Sequence, residues 1–379
     1  MTDAYILEAV RSPIGKRNGS LSDMRPDDLA GDVLKSLMER AQVDPGEVED
    51  VVMGCVTQVE EQGYNIGRMA ALIAGFPVTV PGTSVNRMCA SSLQSTNFAA
   101  QAVGSGAMDL CIGAGVESMS RVSMGSDGGS LSDRLRNRFD IIPQGLSAEL
   151  ICKKWGITKD EVSHLSYTSH QRAIHAREQG HFEREIVPIL VNRDGEEVVF
   201  DTDEGPRPST SVEKLNSLKP AFSKDGLMTA GTSSQISDGA AAILVGSKDK
   251  AASLGVTPRA KFRSMVVTGV DPTIMLTGVI PATELALKKA GMTMNDIDLF
   301  EVNEAFASVP LAWAKDMNAD MDKVNVNGGA IALGHPLGCS GARLLITLLH
   351  EMERRDVQTG LATLCIGFGM AVATIIERA

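Results

Sequence analysis

Apolar and polar positions along this 379-residue chain alternate between two kinds of run. Short apolar blocks such as YILEAV at 5–10, DVVMGC at 50–55 and AVATII at 371–376 have the length and β-branched content of buried strands. Within each half a longer stretch of small residues leads into a helix, NRMCASSLQSTNFAAQAV in the first and GHPLGCSGARLLITLLHEM in the second. Residues 357 to 376 lack charge and are long enough to span a membrane. Gly360, Gly367 and Gly369 divide them, however, and the pattern predicts two buried strands joined by a glycine turn.

The pattern also repeats. AQVDPGEVEDVVMGC (41–55) matches AGMTMNDIDLFEVNE (290–304) at an offset of 249, and LCIGAG (110–115) recurs as LCIGFG (364–369). Strand, helix and strand follow in the same order in both halves, which predicts an α/β fold of two duplicated layered halves with mostly parallel sheets. Loops at equivalent positions of two such copies can face each other across their junction, where pockets form. The stretch 118–234 has no counterpart in the second half and reads as an inserted loop domain, with amphipathic helical spacing near 147–180. The predicted organisation is therefore a first half over 1–117, completed by 235–255, the loop domain over 118–234, and a second half over 256–379.

Composition sharpens this outline. Apolar residues make up 43% of the chain and aromatics 4%, so the core is built from aliphatic side chains and 18 Met. A net charge of −11 argues against a general nucleic-acid binder. The insertion has 15 Lys and Arg against 17 Asp and Glu, a net of −2, which leaves −9 on the rest. An anionic ligand thus meets least repulsion on the insertion. Six scattered cysteines, the nearest two 22 positions apart, form no Cys-x-x-Cys element for zinc and read as reduced thiols. The N-terminal run has neither a secretory nor a transit pattern, which predicts a cytoplasmic protein.

Among residues able to do chemistry, Cys89 stands at a helix entrance, where unpaired N–H groups and the helix dipole favour a thiolate. Most free cysteines are nevertheless small buried hydrophobes. His335 sits between glycine turns at the mouth of a helix, in the half that does not hold Cys89, and is a candidate general base. Cys365 ends a strand and enters Gly367-Phe368-Gly369, whose amides can point into a cavity; its repeat mate Cys111 allows a purely structural role. Asn303 ends a strand where its mate is Gly54, so either a turn or a buried hydrogen-bonding carboxamide is expected.

Taken together, VNRMCASSLQS, EVNEAFA, NVNGGAIALGHPLGCSGAR and LCIGFGMA closely resemble the thiolase family over nearly the whole chain, with its degradative bacterial members the most similar. The resemblance implies a 3-oxoacyl-CoA cleavage through an acyl-cysteine, as in fatty acid β-oxidation, with coenzyme A as co-substrate and no bound cofactor or metal. It assigns Cys89 as acylated nucleophile, His335 as the base that activates it, and Cys365 as proton carrier at the substrate α-carbon. Asn303 would hold a water that binds the thioester oxygen together with His335, and the amides of Cys89 and Gly367 would form a second oxyanion site. Arg207, Ser234, Phe306 and Phe368 are implied to contact CoA or substrate.

Three departures bear on specificity. Phe368 follows the oxyanion glycine where short-chain biosynthetic members commonly have Gly, and Pro143-Gln144 replaces their His-Met pair. The stretch from Met119 to Pro143 lacks the tetramerisation loop, which points to a homodimer. Its basic run Arg134, Arg136 and Arg138 is either a solvated loop or a dock for a β-oxidation partner subunit. Rival readings are an acetyl-CoA C-acetyltransferase making acetoacetyl-CoA, a cysteine hydrolase, and a non-catalytic subunit of an acyl-CoA complex.

Overall fold

The computed structural model describes residues 3–193 and 195–379. Nine strands form the path of its main sheet: β1 (Ala4–Arg11), β2 (Asp50–Gly54), β3 (Gly82–Val85), β4 (Leu110–Ser118), β5 (Ser237–Ser247), β6 (Ala260–Gly269), β7 (Leu299–Val302), β8 (Thr359–Ile366) and β9 (Met370–Arg378). Their order is β7-β8-β9-β6-β1-β5-β4-β2-β3, with the two-residue strand Gly15–Lys16 paired to β5. In the first half β1 to β4 run one way and β5 is reversed; in the second, β6 to β8 run one way and β9 is reversed. Parallel neighbours β2–β3, β2–β4 and β7–β8 are joined by helical crossovers, as parallel pairing requires. The uncharged stretch 357–376 falls in β8 and β9, paired antiparallel across the glycine turn.

Helices cover the sheet in layers. On one outer face α1 (Pro26–Ala41) and α2 (Ile66–Ile73) bury Leu29, Leu34, Leu37 and Ile66 against Val51, Met53 and Ile112. On the other, α6 (Val279–Ala290) and α7 (Ser308–Met317) pack Val279, Leu287 and Trp313 onto Phe300, Leu361 and Ile375. Between the two halves lie α3 (Ser91–Ser105) and α8 (Ser340–Arg355), whose Leu93, Val103, Leu344 and Leu348 share one core with Ile243 of β5 and Leu364 of β8. Each such aliphatic side chain contributes about 1.5–3 kcal/mol by leaving water. The helices meet closely because Gly341 has no side chain; a Cβ there would lie 2.3 Å from the Leu93 nitrogen.

The repeat is visible in the endings of these elements. α1 and α6 stop at Ala41 and Ala290, and the following Gln42 and Gly291 both take left-handed backbone (φ 54° and 68°). α3 and α8 begin at Ser91 and Ser340, again 249 apart. Only Tyr5–Lys261 and Ile6–Ala260 pair β1 with β6, so the halves are joined mainly by the shared helical layer.

Between β4 and β5 the chain forms α4 (Gln144–Trp155), α5 (Lys159–Glu178) and a hairpin of Ile189–Arg193 with Glu196–Phe200. This insertion is bolted to β1 by Arg11, which is fully buried and donates to Glu185 at 2.6 Å and to both oxygens of Asp203 at 2.7 and 2.9 Å. The stretch 133–138 lies at its surface, with Arg134, Arg136 and Arg138 exposed. Among the described residues no helix is long and apolar enough to cross a membrane.

Candidate functional site

The loop before α8 carries His335, which is buried with both ring nitrogens engaged. Its Nδ1 lies 2.6 Å from Ser340 Oγ, and that hydroxyl donates to the Pro336 carbonyl at 2.8 Å. Because the serine proton is committed to Pro336, Nδ1 must carry the hydrogen and donate to Oγ. Nε2 therefore presents its lone pair, and Asn303 Nδ2 is 3.3 Å away. Burial first, and then the Arg343 charge, lower the His335 pKa to about 3, so the imidazole rests neutral as a base must.

Asn303 leaves β7 at a point fixed by a second asparagine. Asn325 accepts from the Val302 N–H and donates to the Val302 carbonyl, both at 2.8 Å, and so stands in for a strand neighbour. Glu304 locks the next residue, accepting from Ser169 Oγ at 2.6 Å, Asn325 Nδ2 at 2.9 Å and the Ile331 N–H at 3.2 Å. Held this way, Asn303 keeps its Oδ1 buried with no partner. An orphaned buried carbonyl costs about 1–3 kcal/mol. Such an atom is placed for a donor that arrives with a water or a ligand.

Two residues ahead of α3, Cys89 follows Met88, which takes left-handed backbone (φ 46°). The Gly367 N–H, its own N–H and the Gln144 side chain come close enough to its sulfur to favour the thiolate. The helix entrance nevertheless does not produce a low thiol pKa: burial dominates and pushes Cys89 up to about 11, with Glu117 adding a smaller like-charge effect. Cys365, at the end of β8, is pushed far up by burial and then by the electrostatic presence of Cys89. The two thiols thus belong to one electrostatic unit, one from each half.

Glu117 ties that unit together. Buried at the end of β4, it accepts from the N–H groups of Val56, Thr57 and Gly338 at 2.9, 3.0 and 2.8 Å and from Gln62 Nε2 at 2.8 Å. The Gly338 bond joins the His335 loop to the first half. Close approach at this seam requires glycine: a Cβ on Gly115 would lie 2.1 Å from the Gly338 carbonyl oxygen.

Above the sulfur lies a cleft of about 770 Å3 whose wall includes His335, Gln144, Arg207, Ser234, Phe306, Met119 and Leu337. Met119 and Leu337 also pack on Cys89, which puts that thiol beneath its floor. Arg207 is exposed at the wall, and Phe306 is buried, edge-on to Phe222 at 5.6 Å. Phe368 is not in this wall. It projects from the β8–β9 turn, 44% exposed and in left-handed backbone (φ 63°), with its N–H on Met275 Sδ. Among the described residues no cluster of three or more His, Cys, Asp or Glu is placed to hold a metal ion.

Two groups of the cleft escape a reading of the sequence. Lys16 and Arg17 join Arg207 in its wall and make it cationic in an acidic chain. Their signal is a basic pair in the glycine-flanked turn GKRNG, which by spacing alone is an ordinary solvated turn. Gln144, which the sequence marks only as a departure from the His-Met pair, comes up to Cys89 from the insertion, more than 50 positions away in sequence.

Comparison with known proteins adds a second line of information. The family profile described as "Thiolase, N-terminal domain" matches residues 4–249, and "Thiolase, C-terminal domain" matches 256–378. A 3-ketoacyl-CoA thiolase of Cronobacter sakazakii is 47% identical over 388 residues, and one of Bacillus subtilis is 44% identical over 391; both alignments cover 100% of each chain. Among solved structures, the Bacillus anthracis acetyl-CoA acetyltransferase superposes with a TM-score of 0.93 at 40% identity, covering 100% of this chain and 99% of that one.

Proposed function

Because this chain belongs to the thiolase family, we propose that it is a 3-ketoacyl-CoA thiolase, an acyltransferase that cleaves 3-oxoacyl-CoA with CoA to give acyl-CoA and acetyl-CoA. The observation that carries this reading is the cleft over Cys89, walled by His335 from the other half, whose Nε2 lies 3.3 Å from Asn303 Nδ2 beside the buried, unpartnered Asn303 Oδ1.

At rest the site holds an uncharged thiol and an uncharged imidazole. On substrate binding, His335 Nε2 takes the Cys89 proton as sulfur attacks the C3 carbonyl carbon. The amides of Cys89 and Gly367, already aimed at the sulfur, then receive the oxygen that becomes negative; one such donor is worth about 2.7–4 kcal/mol. Breaking the C2–C3 bond leaves the acyl group on Cys89 and a carbanion at C2 of acetyl-CoA, which Cys365 protonates. The negative thioester oxygen of that carbanion lies at Asn303 and His335, where the orphaned Oδ1 supports an ordered water as donor. The CoA thiol then gives its proton to the Cys365 thiolate and attacks the acyl-Cys89 carbonyl to form acyl-CoA, and the departing Cys89 sulfur recovers its proton from His335. Lys16, Arg17 and Arg207 supply the positive charge that CoA phosphates need.

The degradative reading over acetoacetyl-CoA synthesis rests on the named 3-ketoacyl-CoA thiolases at 44–47% identity. Homodimerisation is proposed through β3, the edge of the first-half sheet. Cytoplasmic location is part of the same reading. The deciding experiment is a thiolysis assay over 3-oxoacyl-CoA substrates of increasing chain length. Turnover of C6 and longer substrates is the expected result; activity confined to acetoacetyl-CoA would reassign the enzyme to the biosynthetic branch.

A further inference from the structure

Gln144 is the first residue of α4, in the insertion, and nothing in the chemistry above uses it. Its side chain forms part of the cleft wall over Cys89, close enough to the sulfur to favour the thiolate. Its Nε2 also stands 2.9 Å from where a Cβ on Gly367 would be, so the amide lies directly against the glycine whose N–H points at the same sulfur. Any side chain at 367 would displace it.

The position is held rigidly. Gly145 allows Phe222 to press on the first turn of α4, where a Cβ would be 2.1 Å from the ring. Glu149, one turn later, accepts from the N–H groups of Leu227 and Met228 at 2.8 and 2.9 Å. Gln144 therefore enters the site on a packed helix, and preorganised donors of this kind cost no rearrangement when charge develops.

We propose that Gln144 is a further catalytic residue, a third donor that holds the Cys89 thiolate and then, once the acyl group is attached, serves the thioester oxygen beside the Gly367 amide. The bookkeeping of the step is unchanged: the Cys89 sulfur–carbon bond forms, the substrate C2–C3 bond breaks, and the proton goes from Cys89 to His335. What Gln144 adds is stabilisation of negative charge, first on sulfur and then on oxygen. A thioether or alkyl side chain at 144 has no N–H and cannot supply it.

The second half of this inference rests on the thiolase reading, and the first does not, so the test separates them. Alkylation of Cys89 by iodoacetamide, followed across pH by peptide mass mapping, reports thiolate formation without any CoA substrate. Gln144→Met keeps the length of the side chain and removes the donor. Its alkylation midpoint is expected about one pH unit above the parent, with about tenfold slower labelling at neutral pH, and its acylation by acyl-CoA is expected to slow by at least that factor. Gln144→Glu is the second variant, for which a still higher midpoint is expected because a carboxylate then faces the sulfur. Should either folded variant label with the parent's rate and midpoint, Gln144 is a packing residue and the proposal fails. Shifted midpoints in a parent protein that acyl-CoA cannot acylate would uphold the donor role and overturn the thiolase reading instead.

Discussion

Ser340 Oγ lies 2.6 Å from His335 Nδ1 and donates its own hydrogen bond to the Pro336 carbonyl. Its repeat mate Ser91 uses the same device on the Cys89 side, accepting from the Arg87 N–H at 2.9 Å and donating to the Met88 carbonyl at 2.6 Å. One serine at each helix start fixes the loop before it, and in the second half that loop holds His335. Ser340→Ala leaves Nδ1 without its buried acceptor and frees the ring to change tautomer. Acylation by acyl-CoA is expected to slow about tenfold or more, with KM little changed; rapid-quench mass spectrometry would measure it, and a parental rate would remove Ser340 from the mechanism.

The two thiols are expected to separate by half-reaction. Cys365→Ala still accepts an acyl group on Cys89 but fails in full thiolysis and in exchange of acetyl-CoA α-hydrogens with deuterated water. Cys89→Ala loses acylation altogether. If Cys365→Ala exchanges α-hydrogens at the parental rate, the proton is carried by another group.

Acid should unfold this protein for an identifiable reason. Burial lowers His335 and His350 to about 3 and His170 to about 4, with a nearby arginine charge second in each case. A histidine whose folded pKa is depressed contributes stability that is complete above the unfolded value of about 6.5 and is lost as pH falls toward the folded value. Within that window each histidine withdraws about 1.4 kcal/mol per pH unit. Urea midpoints measured from pH 7.5 down to 5 should fall, and His350→Gln should show a shallower slope than the parent. Equal slopes would mean that His350 does not titrate with unfolding.

Glu117 is expected to matter twice. Glu117→Gln turns one acceptor into a donor facing backbone N–H groups, so a loss of about 3–5 kcal/mol is expected in urea unfolding. At the same time it removes the negative charge that raises the Cys89 pKa, so the pH midpoint of Cys89 alkylation should move down. Stability lost with no change in that midpoint would limit Glu117 to a structural tie.

Phe368 holds left-handed backbone beside Gly367, a conformation that costs a bulky residue about 1–3 kcal/mol. Its ring is 44% exposed and outside the cleft wall. Phe368→Gly is therefore expected to match or exceed the parent in thermal stability and to leave the ratio of kcat/KM for long and short 3-oxoacyl-CoA substrates unchanged. Lower stability would make Phe368 a packing residue, and a selective loss on long substrates would bring its ring to the acyl chain.

Much of this arrangement is legible in the sequence because local pattern and repeat agree. The offset of 249 marks matching helix ends at Ala41 and Ala290, and glycines at 360, 367 and 369 turn an uncharged run into two strands. What escapes is whatever depends on contacts between distant segments. α8 carries Arg343, His350 and Glu351, and all three are buried because this stretch of the helix lies between the two halves. The Cys89 thiol is likewise governed by burial rather than by its helix entrance, and burial is a property of the assembled layers. The pair Lys16 and Arg17 approaches the cleft from a remote turn, and Gln144 from the start of α4, with no spacing signal to connect them to it.

The shared helical layer also dictates how the chain must be made. Residues Leu93, Val103 and Ile243 emerge from the ribosome well before their opposite wall, α8, has been synthesised. Throughout that interval the inner face of the first half is an uncovered apolar surface, of the kind that draws nascent chains into aggregates or onto chaperones. Release from that hazard comes late, when Leu344 and Leu348 arrive, so the last turns of translation complete the core of both halves at once.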